Sequence, residues 1–398
     1  MTNRTAAIVG AGIGGLAAAL TLARAGFSVT LVERRTGFSE VGAGLQLSPN
    51  ASRVLAGLGL GPALARAATE PDRAVIRSGA NGREIGAMAL GPAMRKRYGA
   101  PYLVVHRADL QTILLDAARS RPGIRFLMGR ACEGVEETAG GVALALRREA
   151  GASERLEADL AIGADGVRSR LRAHVESTSP ERCAPLFTGY HAWRATIPRE
   201  AAPRALAGDE TTLWLTRDAH VVHYPIAGGK RLNIVAVTRA GEPVEGWSAP
   251  GEASELRARF YRVAPELAAL LAIPDDWLVW SLADRPAGPM ARGRVALLGD
   301  AAHPVLPFLA QGAALAIEDA ERLAARLGRD DGAVVAALAA YADERRPRAL
   351  AVQKAARANG RIYHAGGLVA IGRDLVMKRL GADGMARRYD WLYGWGRV

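Results

Sequence analysis

The sequence predicts an α/β fold in which three separate chain segments build one parallel sheet and an antiparallel sheet is inserted between them. Three observations support this prediction. An apolar strand at 6–9 enters a glycine-rich turn and a helix, and later apolar runs at 156–162 and 294–298 also lead into turns that contain glycine and aspartate. From about 185 to 280, short runs rich in Val, Ile, Trp and Tyr alternate with Gly and Pro turns, which is typical of an antiparallel sheet.

The first element is a G-x-G-x-x-G turn between a buried strand and a helix. Its glycines are Gly10, Gly12 and Gly15. In this pattern the first glycine permits the tight turn, the second lets the backbone approach a pyrophosphate, and the third lets helix and strand pack closely. The helix stops at Gly26, a second strand follows, and Glu33 lies just past its end, where it could accept hydrogen bonds from a ribose. The element therefore predicts a dinucleotide whose pyrophosphate lies at the positive end of the helix.

Composition narrows the class of protein. The chain has 398 residues, enough for two or three domains with a large core. Its two cysteines, Cys132 and Cys183, lie far apart, and no H-E-x-x-H pattern occurs, so neither a disulfide framework nor a metal site is indicated. No run of eighteen apolar residues is present to span a membrane. We therefore expect a cytoplasmic protein with no bound metal and no membrane partner.

The net charge of +12 comes almost entirely from arginine. A nucleic-acid surface would show stripes of Lys and Arg with aromatic residues between them, and residues 95–97 form the one short cluster of this kind. We therefore expect no nucleic-acid partner. The charge should instead help to steer anionic cofactors and substrates.

The region after the second strand contains a glycine-rich segment and a hairpin pattern. Gly42 and Gly44 suggest backbone that approaches a ligand closely, and a plain loop is the alternative. Residues 74–90 predict a β-hairpin. Arg107 stands at the start of a helix predicted at 108–119, where it could hold a phosphate or be an ordinary surface arginine.

Two later strands end beside aspartates. The region from 124 to 162 predicts three strands, at 124–128, 141–147 and 156–162. The third leads into Asp165 and Gly166, and then into a helix that carries arginines. A strand at 294–298 leads into Asp300, and a helix follows at 313–327. The nucleotide-binding domain is therefore predicted to be discontinuous.

These three elements together resemble those of the single-component FAD-dependent aromatic hydroxylases, the class of which para-hydroxybenzoate hydroxylase is the type. The resemblance covers nearly the whole chain, and the combination of three motifs is specific to the class. Within the class, residues 42–50, 309–312 and 390–393 are most similar to the salicylate, 3-hydroxybenzoate and 6-hydroxynicotinate hydroxylases.

The resemblance implies a Rossmann-like FAD-binding domain, an antiparallel substrate-binding sheet and a C-terminal helical region. The expected parts are FAD-binding segments at 1–73, 100–180 and 285–332, a substrate-domain hairpin at 74–99, the substrate-binding sheet at 181–284, and the helical region at 333–398.

The resemblance also implies bound FAD, NADH or NADPH as cosubstrate, and no metal. Arg107 would contact the cofactor near its ribityl phosphate, and Asp300 would bind the ribityl chain. Asp165 and Gly166 would serve FAD and, in the family, NAD(P)H binding. The helix that starts at Ala313 would direct its positive end at the flavin and stabilise the anionic reduced form. The full implied set is Gly10, Gly12, Gly14, Gly15, Glu33, Arg34, Gly44, Arg107, Asp165, Gly166, Asp300, Pro307, Gly312 and Ala313.

The implied catalytic residues lie on a strand predicted at 219–226. Because side chains alternate along a strand, His220, Val222 and Tyr224 share one face and His223 points the other way. The resemblance implies that His220 takes a phenol proton and that Tyr224 positions the phenolic oxygen or a carboxylate. A phenol has a pKa near 10 and a histidine one near 6.5, so the site must also stabilise the phenolate. Without the resemblance, a structural histidine with a satisfied backbone bond is favoured at position 220.

Three further residues complete the expected site. Gln46 and Phe308 are expected to line the substrate pocket. Residues 306–308 are apolar where some relatives place a glutamine or histidine, which weakens the prediction of a pyridine substrate. His303 is expected to be a structural turn residue.

The implied activity is that of an FAD monooxygenase. NAD(P)H would reduce FAD, O2 would form the flavin C4a-hydroperoxide, and one oxygen atom would enter a small carboxylated phenol such as salicylate or 3-hydroxybenzoate. CO2 would be released if the carboxylate sits at the attacked carbon. The alternatives are a 6-hydroxynicotinate or other heteroaromatic hydroxylase, and an FAD-dependent reductase or oxidase on the same fold. Both a monomer and a homodimer are open.

Overall fold

The computed structural model describes residues 4–38, 44–148, 151–245, 248–328 and 333–396. Gly42 lies outside these ranges, so its role stays a prediction. The strands are β1 Thr5–Val9, β2 Ser28–Glu33, β3 Gly44–Leu47, β4 Arg73–Ser78, β5 Glu84–Ala89, β6 Leu103–His106, β7 Ile124–Met128, β8 Arg130–Glu137, β9 Val142–Arg148, β10 Ser153–Ala158, β11 Leu160–Gly163, β12 Leu186–Pro198, β13 Glu210–Leu215, β14 Ala219–Ile226, β15 Arg231–Arg239, β16 Ala249–Gly251, β17 Trp277–Asp284, β18 Ala291–Arg292 and β19 Val295–Leu297. The helices are α1 Ile13–Arg24, α2 Pro49–Gly57, α3 Gly61–Ala67, α4 Gly91–Tyr98, α5 Arg107–Arg119, α6 Leu171–Val175, α7 Ala253–Arg259, α8 Pro265–Ala272, α9 Gly312–Leu327, α10 Val334–Tyr363, α11 Gly367–Arg387 and α12 Asp390–Tyr393.

A six-stranded sheet unites the three distant segments in the order β18-β19-β11-β1-β2-β7. Strand β1 pairs in parallel with β2 and β11, and β11 pairs in parallel with β19. These strands are apolar and largely buried, as a parallel sheet covered on both faces requires. The carboxyl ends of β1, β11 and β19 therefore lie side by side, and the three predicted turns meet at one edge of the sheet. This arrangement confirms the predicted α/β fold.

The prediction of a single strand at 156–162 is wrong. Strand β10 joins the antiparallel order β10-β9-β8, whereas β11 joins the parallel sheet. The chain changes sheets at Asp159, whose Oδ2 accepts hydrogen bonds from the N–H of Thr5 at 2.6 Å and from its hydroxyl at 2.9 Å. The side chain of Asp159 bonds the backbone of β1 at the point where the chain changes sheets. Strand β8 was not predicted.

The helix predicted after Gly166 begins later than expected. Residues 165–170 form turns, and α6 begins only at Leu171. The carboxylate of Asp165 accepts a hydrogen bond from the N–H of Arg170 at 2.8 Å. A side chain that bonds the backbone a few residues on competes with helix formation, which explains the delay.

The second large sheet has eight strands in the order β16-β17-β12-β15-β14-β13-β4-β5. The predicted hairpin forms β4 and β5, and β4 pairs in parallel with β13. One face of this sheet buries Trp193, Trp214 and Ile234 beneath α7 and α8. The opposite face carries Tyr224 and Val222. The residue bounds of the predicted domains stay a prediction.

The C-terminal region is helical and closes over both sheets. The aromatic end of the chain packs into its own core, where Tyr393 makes edge-on contacts with Tyr98 and Tyr102. Helix α11 packs against β5 and leaves six large apolar side chains exposed. These are Leu368, Val369, Ile371, Leu375, Val376 and Leu380. Within the described ranges, none of the helices combines the length and the apolar character needed to cross a membrane.

Candidate active site

The glycine turn after β1 has the geometry that a dinucleotide requires. Gly10 has φ +103°, and a Cβ there would lie 2.4 Å from the carbonyl oxygen of Ala164. A Cβ on Gly15 would lie 1.8 Å from the carbonyl oxygen of Gly10, so α1 and β1 can approach only without it. A Cβ on Gly12 meets nothing within 4 Å, and no side chain caps the N-terminus of α1. The backbone at Gly12 therefore faces open space, beside free N–H groups that favour an anion.

The neighbouring predicted residues occupy distinct positions. Glu33 accepts hydrogen bonds from the N–H of Ala11 at 2.9 Å and the N–H of Arg35 at 3.0 Å, so its carboxylate closes over the turn. Arg34 follows it and is exposed. A Cβ on Gly14 would lie 2.8 Å from Cδ1 of Leu298, so Gly14 permits α1 to pack closely against residues that precede α9.

The two aspartate turns follow the adjacent parallel strands β11 and β19. In Asp165, the buried Oδ1 has no hydrogen-bond partner among the described residues, and burial raises the pKa of this carboxyl. Gly166 beside it has φ +80°. Asp300 and Arg107 are both exposed to solvent. The surrounding protein raises the pKa of the Asp300 carboxyl, and the charge of Arg107 opposes that shift. The charges of Arg107 and Asp300 therefore interact although the two residues lie far apart in the sequence, and their contacts with a cofactor stay a prediction.

A buried ionic network fixes the turn that carries Asp300. Asp319 accepts a hydrogen bond from the N–H of Gly299 at 3.0 Å and lies 2.6 Å from Nε2 of His303. Its other oxygen accepts a hydrogen bond from Nε of Arg345 at 2.7 Å. Burial alone would raise the pKa of Asp319, but His303 and Arg345 outweigh it and hold that pKa below its usual range. His303 is therefore bonded inside the protein, and Asp319 and Arg345 are structural residues that sequence reasoning missed.

The N-terminus of α9 lies beside the remaining predicted cofactor residues. Pro307, Gly312 and Ala313 are half-buried there. The side chain of Gln311, at the N-cap position, donates to Oγ of Ser48 at 2.8 Å and does not cap the helix. The first-turn N–H groups of α9 thus remain open to an anionic ligand.

These features fit FAD. The open glycine turn accepts a pyrophosphate, the orphaned carboxylate oxygen of Asp165 lacks a donor that a ligand can supply, and two uncapped helix ends provide positive potential. Within the described residues, no cluster of three or more His, Cys, Asp or Glu side chains is arranged to hold a metal ion.

His220 and Phe308 meet on the inner face of β14. His220 is 4% exposed, and its ring centroid lies 5.5 Å from that of Phe308. Its Nδ1 lies 2.8 Å from Nε2 of His364, and no described residue bonds its Nε2. Burial lowers the pKa of His220 well below 6.5, and His364 lowers it further. The expected backbone bond of a structural histidine is thus replaced by a bond to a second histidine, which sequence reasoning missed.

Tyr224 lies four residues after His220 on β14, and Gln46 of β3 lies beside it. Gln46 lowers the pKa of the Tyr224 phenol, and it accepts a hydrogen bond from the hydroxyl of Tyr102. The N–H of Gly44 donates to Oδ1 of Asn233 at 2.7 Å, and a Cβ on Gly44 would lie 2.5 Å from the Tyr224 ring. Gly44 therefore brings the β3 backbone against Tyr224, and the result is a polar cluster at this end of the face.

An unpredicted cation lies near this cluster. Arg194 on β12 places its guanidinium 4.8 Å from the centroid of the Trp280 ring, and its Nε has no hydrogen-bond partner among the described residues. Burial raises the pKa of Tyr224, and the charge of Arg194 lowers it, so the two side chains interact electrostatically. Arg194 adds positive potential to the site, and no short sequence motif predicts its position.

His223 lies on the opposite face, as its position in the alternation predicts. Its ring stacks on Trp214 with centroids 6.3 Å apart, and neither ring nitrogen has a hydrogen-bond partner in the described ranges. Burial lowers the pKa of His223 to about 3. It is therefore a neutral core residue near neutral pH.

Comparison with known proteins gives consistent matches. The FAD binding domain family model matches residues 3–356. A 3-hydroxybenzoate 6-hydroxylase from Klebsiella oxytoca is 36% identical over 391 residues, which cover 98% of this chain and 96% of the relative. A 6-hydroxynicotinate 3-monooxygenase from Bordetella bronchiseptica is 37% identical over 362 residues, which cover 89% and 90% of the two chains. Klebsiella pneumoniae HpxO, solved with FAD and uric acid, superimposes with a TM-score of 0.83 at 27% identity over 98% of this chain and 96% of that one.

Proposed function

The chain belongs to the FAD binding domain family as an FAD-dependent aromatic hydroxylase, and we propose that its substrate is a small phenolic aromatic acid and its electron donor NADH or NADPH. The relatives are named for the hydroxylation of 3-hydroxybenzoate and of 6-hydroxynicotinate, both of which carry a ring hydroxyl and a carboxylate. These names favour oxygenation over the reductase and oxidase alternatives.

The observation that carries the proposal is a strip with polar ends and an apolar middle on the inner face of β14. His220 lies at one end, Tyr224 with Gln46 at the other, and Val222 between them. Four residues along a strand span about 13 Å, which leaves room for one aromatic ring with a polar group at each end. We assign the ring hydroxyl to the His220 end and the carboxylate to the end where Tyr224, Gln46 and the charge of Arg194 lie.

His220 would act as the base. Its Nε2 has no hydrogen-bond partner among the residues that the structure describes, and burial lowers its pKa, which keeps the ring neutral at neutral pH. Removal of the hydroxyl proton makes the ring electron-rich, which prepares it for attack by an electrophilic oxygen. Phe308 packs against the base and excludes water from it.

Bound FAD supplies the redox chemistry, which consists of accepting a hydride from the nicotinamide and activating O2 for transfer of one atom to the ring. Gly10, Gly12 and Glu33 would hold its ADP half. Arg107 and Asp300 would hold the ribityl-phosphate region, and the N-terminus of α9 would stabilise negative charge on the reduced ring.

The heteroaromatic alternative rests on the similarity to the 6-hydroxynicotinate enzyme. The loop at 306–308 is apolar, and Phe308 contacts His220 through its ring alone. A pyridine nitrogen would find no added hydrogen-bonding side chain from this loop, so we favour a carbocyclic substrate.

The test is oxidation of NADH and of NADPH by the FAD-loaded protein with 3-hydroxybenzoate, salicylate, 3-amino-4-hydroxybenzoate and 6-hydroxynicotinate. Benzoate, which lacks the hydroxyl, is the control. The proposal expects one phenolic acid to stimulate oxidation and to yield stoichiometric hydroxylated product. Hydroxylation of the pyridine alone would support the alternative, and failure of every acid to yield a hydroxylated product would refute the proposal.

A further inference from the structure

Two histidines from distant parts of the chain share one hydrogen bond in the candidate site. Nδ1 of His220, on β14, lies 2.8 Å from Nε2 of His364, which follows the last turn of α10. Both residues are buried, with exposures of 4% and 7%. The rings of Phe308 and Tyr190 also contact His364, with centroids 5.7 and 5.0 Å away. The pair is therefore held in a mostly aromatic enclosure.

The backbone fixes this pairing. The N–H of His364 donates to the carbonyl of Gly360 at 3.1 Å, and the His364 carbonyl accepts from the N–H of Asp218 at 3.2 Å. Asp218 lies two residues before His220, so one turn places both rings. His364 is thus anchored to the start of the strand that carries the base.

The bond couples the two rings chemically. Burial lowers the pKa of His220 well below 6.5 and that of His364 to about 4, so both rings are neutral near neutral pH. A neutral imidazole has one N–H and one bare nitrogen, so one ring must donate and the other must accept. His220 has a bare Nε2, ready to take a proton, only when its Nδ1 is the donor and Nε2 of His364 is the acceptor.

Two charged residues, Asp218 and Arg239, act on His364. Its Nδ1 is buried and has no hydrogen-bond partner among the described residues. Burial has the largest effect on the pKa of His364 and lowers it, the charge of Arg239 lowers it further, and the charge of Asp218 opposes both. The carboxylate of Asp218 is 45% exposed and pairs with Nε of Arg239 at 2.9 Å. In the described part of the chain, Tyr190 and Tyr363 are further titratable groups whose rings contact the pair.

We infer that His364 is a positioning residue through which His220 passes a proton to solvent. As Nε2 of His220 takes the proton of the substrate hydroxyl, Nδ1 of His220 gives its proton to Nε2 of His364, and Nδ1 of His364 releases one to water near Asp218. One O–H bond breaks, both rings exchange tautomer, and one proton leaves. A proton that returns by the same path resets the pair. This inference rests on the proposed role of His220.

The relay explains how a histidine with a low pKa can accept the proton of a phenol. A histidine whose pKa is far below 6.5 is a poor final acceptor for the proton of a phenol, whose pKa is near 10. Transfer onward leaves no imidazolium in the buried site, where charge is disfavoured. The phenolate then remains with two neutral rings beside it.

The first test follows deprotonation without turnover. FAD-loaded protein is mixed with 3-hydroxybenzoate in the absence of NADH and NADPH, and phenolate absorbance is recorded in mixtures of H2O and D2O. We expect the wild-type rate to vary non-linearly with deuterium fraction, because two or more protons move. His364→Phe and His364→Gln should both slow phenolate formation about 100-fold, a loss within the usual range for general base catalysis.

The His364→Gln variant distinguishes proton transfer through His364 from a role in which His364 only orients the His220 ring. Its amide can still accept the hydrogen bond from His220 but cannot pass a proton on. A wild-type rate in His364→Gln, or a linear deuterium dependence in the wild type, would overturn the relay. His191→Gln is the matched control, because His191 bonds the carbonyl of Glu242 in an exposed position at 2.8 Å and should leave the rate unchanged.

A second measurement needs no ligand. Imidazole ¹⁵N NMR spectra of the holoprotein should show His220 protonated at Nδ1 and bare at Nε2, and His364→Phe should lose this preference. Detection of only the Nε2–H tautomer at His220 would overturn the inference. If the wild type hydroxylates none of the acids but both histidine results hold, the proposed function fails and the relay stands. If the His364 variants hydroxylate normally, the relay fails and the proposed function stands.

Discussion

Gly360 of α10 lies directly against the ring of Phe308. A Cβ built on Gly360 would be 2.7 Å from Cε2 of Phe308, and no other residue type would let the ring stay where it is. Phe308 in turn contacts both His220 and His364. The spacing between α10 and the loop at 307–309 therefore sets the position of the aromatic wall around the proposed base.

Gly360→Ala should displace Phe308 and lower kcat/KM for the phenolic substrate about tenfold, since a shift of the order of 1 Å near reacting groups can lower the rate up to 100-fold. FAD content, read from the visible spectrum, should not change. Gly372→Ala on α11 is the control, because a Cβ there meets nothing within 4 Å. Equal kcat/KM in the two variants would show that Phe308 does not set the geometry of the base.

The pH dependence of activity should carry the signature of a buried base. Burial lowers the pKa of His220 well below 6.5, so the ring stays neutral and competent as pH falls through 6.5. In the wild type, kcat/KM should therefore show no acid limb between pH 6 and 7. His220→Gln should lower kcat/KM about 100- to 10,000-fold. A wild-type limb centred near pH 6.5 would mean that the ring is more accessible to solvent than the structure shows.

The sequence predicted those elements that depend only on residues close together in the chain. The strand predicted at 219–226 is β14, because period-two alternation needs only neighbouring residues. The glycine turn at Gly10 was also predictable, because its tight approach is made within one strand–turn–helix unit. By contrast, His364 bonds a residue 144 positions away, and Arg345 bonds one 26 positions away. Those partners depend on how distant helices pack, and no spacing rule reports that.

Asp319→Asn should destabilise the protein and weaken FAD binding. Asp319 pairs with the buried Arg345 and also holds His303 and the N–H of Gly299. Breaking a buried ion pair lowers the free energy of unfolding by about 3–5 kcal/mol, and we expect the low end of this range because Glu318 still pairs with Arg345. The turn that carries Asp300 would also lose its anchor. Thermal unfolding and the dissociation constant of FAD measure the two effects.

Glu255→Gln is the control for this substitution. It removes one exposed ion pair with Arg259, an i,i+4 contact of 3.6 Å, and should change stability by less than about 0.5 kcal/mol. If Asp319→Asn unfolds at the same temperature as this control, the buried network is not a source of stability.

His223 should make the protein sensitive to acid without affecting catalysis. Burial lowers the pKa of His223 in the folded protein to about 3. The unfolded chain binds a proton at this residue near pH 6.5, whereas the folded protein does not. Stability from this group is complete above pH 6.5 and is lost as pH falls toward 3. His223→Leu should reduce that loss by up to about 1.4 kcal/mol per pH unit in this window.

Urea unfolding of His223→Leu and the wild type at pH 7, 6 and 5 measures the difference. The turnover of the variant at pH 7 should match the wild type, because His223 faces Trp214 and not the proposed pocket. If the free energy of unfolding changes with pH equally in the wild type and in His223→Leu, His223 is not a buried neutral ring.

Arg194 should bind the negative end of the substrate. Its Nε has no partner in the described ranges, and its charge lowers the pKa of Tyr224, so a carboxylate beside Tyr224 would be attracted to it. Arg194→Met preserves much of the side-chain volume over Trp280 and removes the charge. KM for the aromatic acid should rise about tenfold with kcat nearly unchanged, because a carboxylate away from the reacting carbon is bound equally in the ground and transition states.

Arg194→Lys should recover part of this loss, and the amide of the same acid should bind both variants and the wild type alike. If KM for the acid is unchanged in Arg194→Met, the carboxylate is held by Tyr224 and Gln46 without this cation.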